Sequence, residues 1–383
     1  MRQTKYIILL LAIIGISGCI EDYYPKNIFD HNESYVIFGK VTDASDYHMV
    51  QVSRASSLTL PKRNPVVSCE VIITDNNNNV FVSDSTTNDG RYFVNIDRNL
   101  VTLGKSFKVE VRTPDGVVIE SAFDTLRPCP DLQDVYFERV DKPTADPNST
   151  ERGVQFKVDF EADEMFGKFF RWEIEETFEY RSTYPISFYY DGKVNEVFPE
   201  DYSLYYCWQT KTISEFFPLS TKHLTESRFD GFKLHFVNNR SQRLMYLYSI
   251  LVHQSAIGED HYNYLEQINL NSKNQEGLFG TQPISIEGNL HSTSHPERRI
   301  HGYFSVEGTK SRRFFFKNTM EVPFEITSNC TPVELLSGYR YFKPSDYPVY
   351  LIDESGVKKW VYDFCVDCRE LGGTTTIPDY WPI

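Results

Sequence analysis

The sequence lacks several motifs of common enzyme families and the basic charge typical of nucleic-acid-binding proteins. It contains no HExxH motif, no P-loop and no dinucleotide-binding fingerprint. Its 39 Lys and Arg are outnumbered by 53 Asp and Glu, so the formal net charge is −14. Because binding to nucleic acid requires a basic surface that faces the phosphates, no nucleic-acid partner is expected. We also expect no catalytic residue, no metal and no cofactor.

Long hydrophobic runs are also missing. The main apolar run, at residues 6–16, has only 11 residues, whereas a helix needs about 20 to cross a bilayer. Arg2 and Lys5 precede this run, and a basic start before a short apolar stretch is typical of a secretory signal. We therefore predict that residues 1–18 are a signal peptide and that no other segment spans a membrane.

A cysteine directly follows this segment. The residues ISGC at 16–19 resemble the lipobox at which bacterial lipoproteins are cleaved before a cysteine that is then acylated. Lipidation of Cys19 would anchor the protein stably, since more than one acyl chain suffices for lasting attachment. The alternative is an ordinary secretory signal with an incidental cysteine.

Two acids lie just after the cysteine. Glu21 and Asp22 resemble the acidic tether that accompanies export of Bacteroidota lipoproteins to the outer face of the outer membrane. Residues 19–33 are therefore predicted to be a tether, and the protein is expected in the outer membrane, lipid-anchored and facing the cell exterior. The alternative is a solvated linker that only keeps the fold away from the lipid headgroups.

The remaining cysteines are even in number, which favours disulfides in an exported chain. The six candidates are Cys69, Cys129, Cys207, Cys330, Cys365 and Cys368. Cys69 and Cys129 fall within or beside one N-terminal unit, so we predict that they pair with each other and that the other four pair in the C-terminal part. Cys365 and Cys368 have CxxC spacing, for which a metal site is the alternative.

Period-two alternation dominates the first third of the chain and predicts β-strands that end at turn residues. The predicted strands are 34–42, 66–74, 80–84, 91–96, 105–112 and 117–123. So many short strands in this length predict an Ig-like β-sandwich over residues 34–127. Their order, with a variable loop after the first strand, resembles the carboxypeptidase regulatory-like and transthyretin-like sandwiches. Two prolines at 128 and 130 then predict a boundary.

Strands continue after residue 130 and predict a larger, mainly antiparallel β domain over 130–383. The predicted strands are 154–162, 169–180, 233–237, 244–254, 301–306, 313–317 and 359–364. One helix is predicted near 256–269, because Ile257, Tyr264, Leu265 and Ile268 have helical spacing. The expected fold class is therefore all-β: a sandwich followed by a larger β domain that carries one helix.

Several motifs of the C-terminal part follow one another in a recognisable order. They are Cys207-Trp208, the helix sequence GEDHYNYLEQI, Glu287-Gly288-Asn289-Leu290, HGYFS at 301–305 and the ending CVDCRELGGTTTIPDYW. This order resembles a lipoprotein family of Bacteroidota known as domain of unknown function 4249, over nearly all of the chain as far as Trp381. The resemblance implies an outer-membrane lipoprotein that is often encoded beside TonB-dependent transporters. It implies no reaction and no catalytic residues.

Tyrosine-rich segments are the candidates for recognition, because tyrosine offers a large contact area with few rotamers to freeze. The residues chosen as ligand- or partner-binding candidates are Tyr189, Tyr190, Tyr205 and Trp381. The alternative is that these rings pack in or around a β core. For Trp381, which lies between two prolines, we predict a docked tail, with presentation to a transporter as the alternative.

The sequence leads to two functional hypotheses. The first is a non-enzymatic accessory or substrate-capture partner of a TonB-dependent transporter. The second is a structural or adhesive surface lipoprotein without a transporter. The sequence does not identify a ligand.

Overall fold

The computed structural model describes residues 34–56, 62–144, 146, 149–275, 286–317, 330–336 and 338–382. Within them the chain is mostly β with a single α-helix, which confirms the predicted fold class. None of the helices in this part is long and apolar enough to cross a bilayer. The whole predicted signal peptide and the whole predicted tether, with Cys19, Glu21 and Asp22, lie outside the described residues.

The strands form two sets along the chain. The first set is β1 (Tyr35–Thr42), β2 (Tyr47–Arg54), β3 (Asn64–Pro65), β4 (Glu70–Asp75), β5 (Val80–Thr86), β6 (Arg91–Asn95), β7 (Ser106–Arg112), β8 (Val118–Ser121) and β9 (Asp124–Thr125). The second set is β10 (Val135–Pro143), β11 (Thr150–Glu161), β12 (Phe169–Arg181), β13 (Ile186–Tyr190), β14 (Val194–Asp201), β15 (Tyr206–Thr212), β16 (Phe217–Ser220), β17 (Arg228–Asn238), β18 (Leu247–Ala256), β19 (Leu290–Ser292), β20 (Ile300–Lys317), β21 (Val333–Glu334), β22 (Val349–Glu354) and β23 (Val357–Trp360).

The helix α1 (Glu259–Gln275) lies between β18 and β19. It confirms the predicted helix and extends beyond its predicted end. Short 3-10 helices occupy Arg98–Leu100, Gln242–Leu244, Gly338–Tyr341, Pro344–Asp346, Asp363–Cys365 and Cys368–Leu371.

One large sheet connects both sets of strands. Its hydrogen-bonded order is β15-β12-β18-β20-β1-β2-β6-β5-β4-β7-β8-β19, with β16, β3 and β9 attached at its sides. The first half of β20 pairs in parallel with β1, and its second half pairs antiparallel with β18. Residues 34–127 and the later chain thus share a sheet, and the predicted domain division at 127–130 stays a prediction. Two smaller sheets have the orders β10-β11-β17 and β14-β13-β22-β23-β21.

Two main hydrophobic cores follow from the alternation of side chains along the strands. The first is enclosed by residues such as Ile37 and Val50 on one side and Val109 and Ile119 on the other, in a sandwich-like arrangement. The second lies between the three-stranded sheet and the even-numbered side chains of β12, among them Trp172 and Ile174. The odd-numbered side chains of β12 therefore face away from this core.

Strand β2 was not predicted, since the variable loop was expected to follow the first strand. The alternation of its first three residues is inverted in polarity, although Val50 and Val52 further along are buried as in an ordinary strand. His48 points inward and is buried, whereas Tyr47 and Met49 are exposed.

The predicted pairing of Cys69 with Cys129 is wrong, because the two residues belong to different cores and both are free thiols. Burial raises the pKa of each thiol, that of Cys129 to about 11. The four C-terminal cysteines do form disulfides, as predicted. Cys207 bonds to Cys368 and Cys330 bonds to Cys365, so the two cysteines of the CxxC sequence belong to different bridges.

Candidate functional site

Helix α1 covers part of the outer face of the large sheet. His261, Tyr264 and Leu265, spaced at i, i+3 and i+4, are buried against the sheet. Glu259 and Asp260 occupy the first turn, where the helix dipole favours acids. Because the helix covers only one end of this face, it leaves a cleft beside it.

The cleft has a volume of about 440 Å³, which is within the range of small-molecule sites. Its walls are largely apolar and its floor is charged. The apolar and aromatic lining residues include Phe38, Met49, Phe216, Tyr264, Leu265 and Tyr303. The polar ones include Lys40, Gln51, Arg171, Glu173, Glu175, Thr212, His253 and His261.

A buried ion cluster lies under one end of the cleft. The guanidinium of Arg171 donates two hydrogen bonds to the carboxylate of Glu307, with Nε 3.1 Å from Oε1 and Nη2 2.9 Å from Oε2. Its Nη1 donates to Glu173 Oε1 at 3.0 Å. Lys40 donates to the other oxygen of Glu173, and Ser305 Oγ donates to Glu307 at 2.6 Å. The cluster thus fixes Glu173 from two sides while Lys40 reaches the surface.

The charges in this cluster stabilise one another. Burial opposes ionisation of Glu307 and Glu173, yet the adjacent Arg171 and then Lys40 hold the pKa of both carboxyls below the usual value. Burial likewise disfavours the charged Arg171, but its two carboxylate partners raise the pKa of the guanidinium. Both carboxyls are therefore ionised at neutral pH.

His261 lies against the cluster but remains neutral. Burial, and then the positive charge of Arg171, lower its pKa to about 3. The ring stacks on Tyr303 with 4.4 Å between centroids, and Nδ1 is 3.6 Å from Glu307 Oε1. Nδ1 has no hydrogen-bond partner in the described part of the chain. The neutral ring of His261 thus lies between the backbone of α1 and the ion cluster without adding a charge.

The C-terminal tail covers the same face of the sheet beyond the other end of the cleft. Trp381 is buried and packs edge-on against Phe315, with 5.7 Å between ring centroids. Tyr380 shares a hydrogen bond of 2.9 Å with Thr177, and its ring lies 3.5 Å from the guanidinium carbon of Arg313. The predicted docking of the tail is confirmed, although Tyr380 stays partly exposed.

The other recognition candidates lie elsewhere. Tyr189 and Tyr190 are on β13 in the five-stranded sheet, and Tyr190 stacks on Tyr339 at 4.7 Å. Tyr205 packs with Tyr202 and Tyr206 just before β15. Together with Trp381, these residues do not form one site, and none is among the described residues that line the cleft. Tyr190, Tyr205 and Trp381 each pack against another aromatic ring.

Metal coordination finds no support in the described ranges, where no group of three or more His, Cys, Asp or Glu is placed to hold an ion.

The cleft itself was not predicted. On β12, Arg171 and Glu173 alternate with Trp172 and Ile174. This pattern predicts that the two charged residues lie on the solvated face of an ordinary strand. The only sequence signal is Glu307, an acid that follows the mainly apolar stretch 303–306 without an intervening turn residue. Its partner lies 136 residues earlier in the chain, which no local pattern can indicate.

A comparison with family models places the chain in a family. The model described as "Domain of unknown function (DUF4249)" matches residues 21–313, so the chain belongs to this family. The match ends well before Trp381, whereas the resemblance was expected to extend to that residue. No curated protein matches the chain.

Proposed function

We propose that this member of the DUF4249 family is a non-enzymatic lipoprotein of the outer membrane, anchored through Cys19 and facing the cell exterior. In this role it captures a small ligand in the cleft beside α1 and passes it to a TonB-dependent transporter. The cleft carries the proposal, because apolar walls around a small number of fixed polar groups are typical of ligand sites.

Export is supported by two independent features. The ISGC sequence at 16–19 resembles a lipobox, and the acids Glu21 and Asp22 follow it. The disulfides of the C-terminal part are of the kind that persists in oxidising compartments.

Binding rather than catalysis is supported by the charges of the floor. A general acid needs a proton at working pH, but Glu173 and Glu307 have a lowered pKa and are held as anions by Arg171. His261, with a pKa of about 3, is a weak base. These groups are suited to fixing a ligand in place.

The transporter role can be tested in intact cells. The full chain carrying a C-terminal tag is crosslinked on living cells and purified, and we expect an outer-membrane barrel protein to be recovered with it. The Cys19→Ser variant, which should leave the membrane, is the matched control. Recovery of the tagged protein without any barrel would overturn the transporter role.

The adhesive alternative rests on a different surface. Phe198 and Leu336 are almost fully exposed, and Tyr341 is largely exposed, so these large side chains are accessible to a partner. A strain that lacks the protein and loses attachment to surfaces, but keeps uptake, would favour this second function.

A further inference from the structure

We propose that the cleft binds a zwitterionic α-amino acid with a large apolar side chain, its carboxylate on Lys40 and its ammonium on Glu173. This inference rests on the proposed capture function and names the ligand class for the same site. It follows from how the charged and apolar residues are placed around the cleft.

The charge balance of the lining favours a ligand without net charge. The charged residues that line the cleft are Lys40, Arg171, Glu173 and Glu175, two of each sign. Behind them, Glu307 and Arg313 form ion pairs with Arg171 and Glu175. A ligand with a single charge would leave that charge unbalanced in a half-enclosed site, whereas a zwitterion preserves the balance.

The ion pair between Lys40 and Glu173 is accessible at both partners, whereas in the pair between Glu175 and Arg313 the carboxylate is 33% exposed and the guanidinium only 16%. The side chains of Lys40 and Glu173 are 39% and 29% exposed, whereas Arg171 and Glu307 are buried and hold each other in a fork. Accessible ion pairs contribute little to stability, so a ligand can substitute its own charges for the partners at small cost. The two groups of this pair are adjacent, as are the ammonium and carboxylate on one α-carbon.

The apolar part of the ligand has a matching surface. Phe38 and Met49, on the neighbouring strands β1 and β2, are 41% and 37% exposed, and both line the cleft. Phe38 is next to Tyr303 across the parallel pairing with β20. Apolar walls beside an ion pair favour an amino acid with a large apolar side chain over a sugar, which presents hydroxyl groups on most of its edge.

The test uses L-tryptophan and its charge-free analogue N-acetyl-L-tryptophan amide, with the full chain purified in detergent and binding measured by calorimetry. We expect L-tryptophan to bind at least about tenfold more tightly than the analogue. Lys40→Met should weaken the binding of L-tryptophan by a similar factor, because the carboxylate of the ligand loses its partner. The fold should be retained, since Glu173 keeps Arg171 as a partner. The matched control is Lys108→Met, which removes a half-exposed pair with Glu120 on β7 and β8 and should leave binding unchanged.

A second variant keeps the test independent of the ion pair. Phe38→Ala removes an exposed apolar wall and should weaken L-tryptophan binding without lowering the melting temperature. Equal affinity for the two probes, no effect of Lys40→Met, or no binding of L-tryptophan would each overturn the ligand class. If a barrel protein is still recovered in the crosslinking experiment, the proposed function survives that result; if none is recovered while L-tryptophan binds, the transporter role alone is overturned.

Discussion

Arg171 illustrates how a single buried residue fixes the site. It is almost fully buried and binds Glu307, which is completely buried, as well as Glu173. A buried ion pair adds little net stability compared with apolar residues of the same size, but removing one partner leaves an uncompensated charge.

We therefore expect Arg171→Met to lower the free energy of unfolding by about 3–5 kcal/mol. The measurement is denaturant unfolding at neutral pH. Arg312→Met is the control, since Arg312 pairs with Asp134 at the surface and exposed pairs contribute about 1 kcal/mol or less. The double variant Arg171→Met/Glu307→Met should recover part of the loss, and equal losses in the Arg171 and Arg312 variants would contradict the argument.

The lowered pKa of His261 predicts that the free energy of unfolding depends on pH. Its pKa is about 3 in the folded protein and 6.5 in the reference state. The unfolded chain therefore binds a proton that the folded chain does not, and stability decreases as pH falls from 6.5 towards 3. Glu307 acts in the same direction, but only below its reference pKa of 4.5, so the range from pH 6.5 to 5 isolates the histidines.

In that range His261→Phe should reduce the slope of unfolding free energy against pH by as much as about 1.4 kcal/mol per pH unit. The phenyl ring preserves the stacking on Tyr303 and removes an unpartnered nitrogen. A His261→Phe protein that keeps the wild-type slope would show that His261 is protonated in the folded state.

At the level of elements, the tail behaves as part of the sheet structure. Thr374 exchanges backbone hydrogen bonds with Trp208 of β15 at 2.8 and 2.9 Å, and Trp381 then covers Phe315 of β20. The tail is thus held by a strand-like bridge followed by a hydrophobic anchor.

Deletion of residues 377–383 keeps the bridge and removes the anchor. We expect the free energy of unfolding to fall by about 3 kcal/mol or more, as for removal of other buried tryptophans, with a matching fall in melting temperature. Tyr341→Ala, which truncates a largely exposed ring, should change stability by about 0.5 kcal/mol or less. Unchanged stability with loss of a crosslinked partner would instead identify the tail as an interaction motif.

The elements that were predicted correctly are those with strong local periodicity. Strand β12 and helix α1 begin within a few residues of their predicted starts, since aromatic alternation and the i, i+3, i+4 pattern are properties of neighbouring residues. Strand β2 was missed because His48 is inside and Met49 is outside. The parallel pairing of β1 with β20 joins residues 265 positions apart, such as Tyr35 and Ile300, and such a register depends on the whole fold.

The site was unpredictable for the same reason. Lys40, Glu173 and His261 lie on three elements that meet only after the sheet has formed and α1 has covered its outer face. Their residue types are ordinary for exposed strand and helix positions. The cysteines show the same limit. Their even number predicted that all six form disulfides, whereas Cys69 and Cys129 lie in two different cores and remain free thiols.

At the scale of the whole molecule, the disulfides connect distant parts of the chain. Cys207 and Cys368 are 161 residues apart, so their bond restricts the unfolded chain strongly in the loop-entropy description. Cys207→Ser/Cys368→Ser should lower the free energy of unfolding by roughly 2–5 kcal/mol. Cys69→Ala removes a free thiol and no crosslink, and should cost less; equal losses would indicate that packing rather than crosslinking dominates.

The last prediction concerns the attachment of the whole protein to the membrane. If Cys19 carries the acyl chains, Cys19→Ser should move the protein from the membrane fraction to the soluble fraction, because no helix in the described ranges is able to span the bilayer in its place. If the acidic tether directs export to the outer face, protease added to whole cells should degrade the wild-type protein, and Glu21→Gln/Asp22→Asn should protect it while leaving it membrane-bound. Immunoblotting of fractions and of protease-treated cells measures both effects, with a periplasmic protein as the control for cell integrity. Protection of the wild-type protein on intact cells, with attachment preserved, would place it on the periplasmic face and would require a ligand that reaches the cleft after crossing the outer membrane.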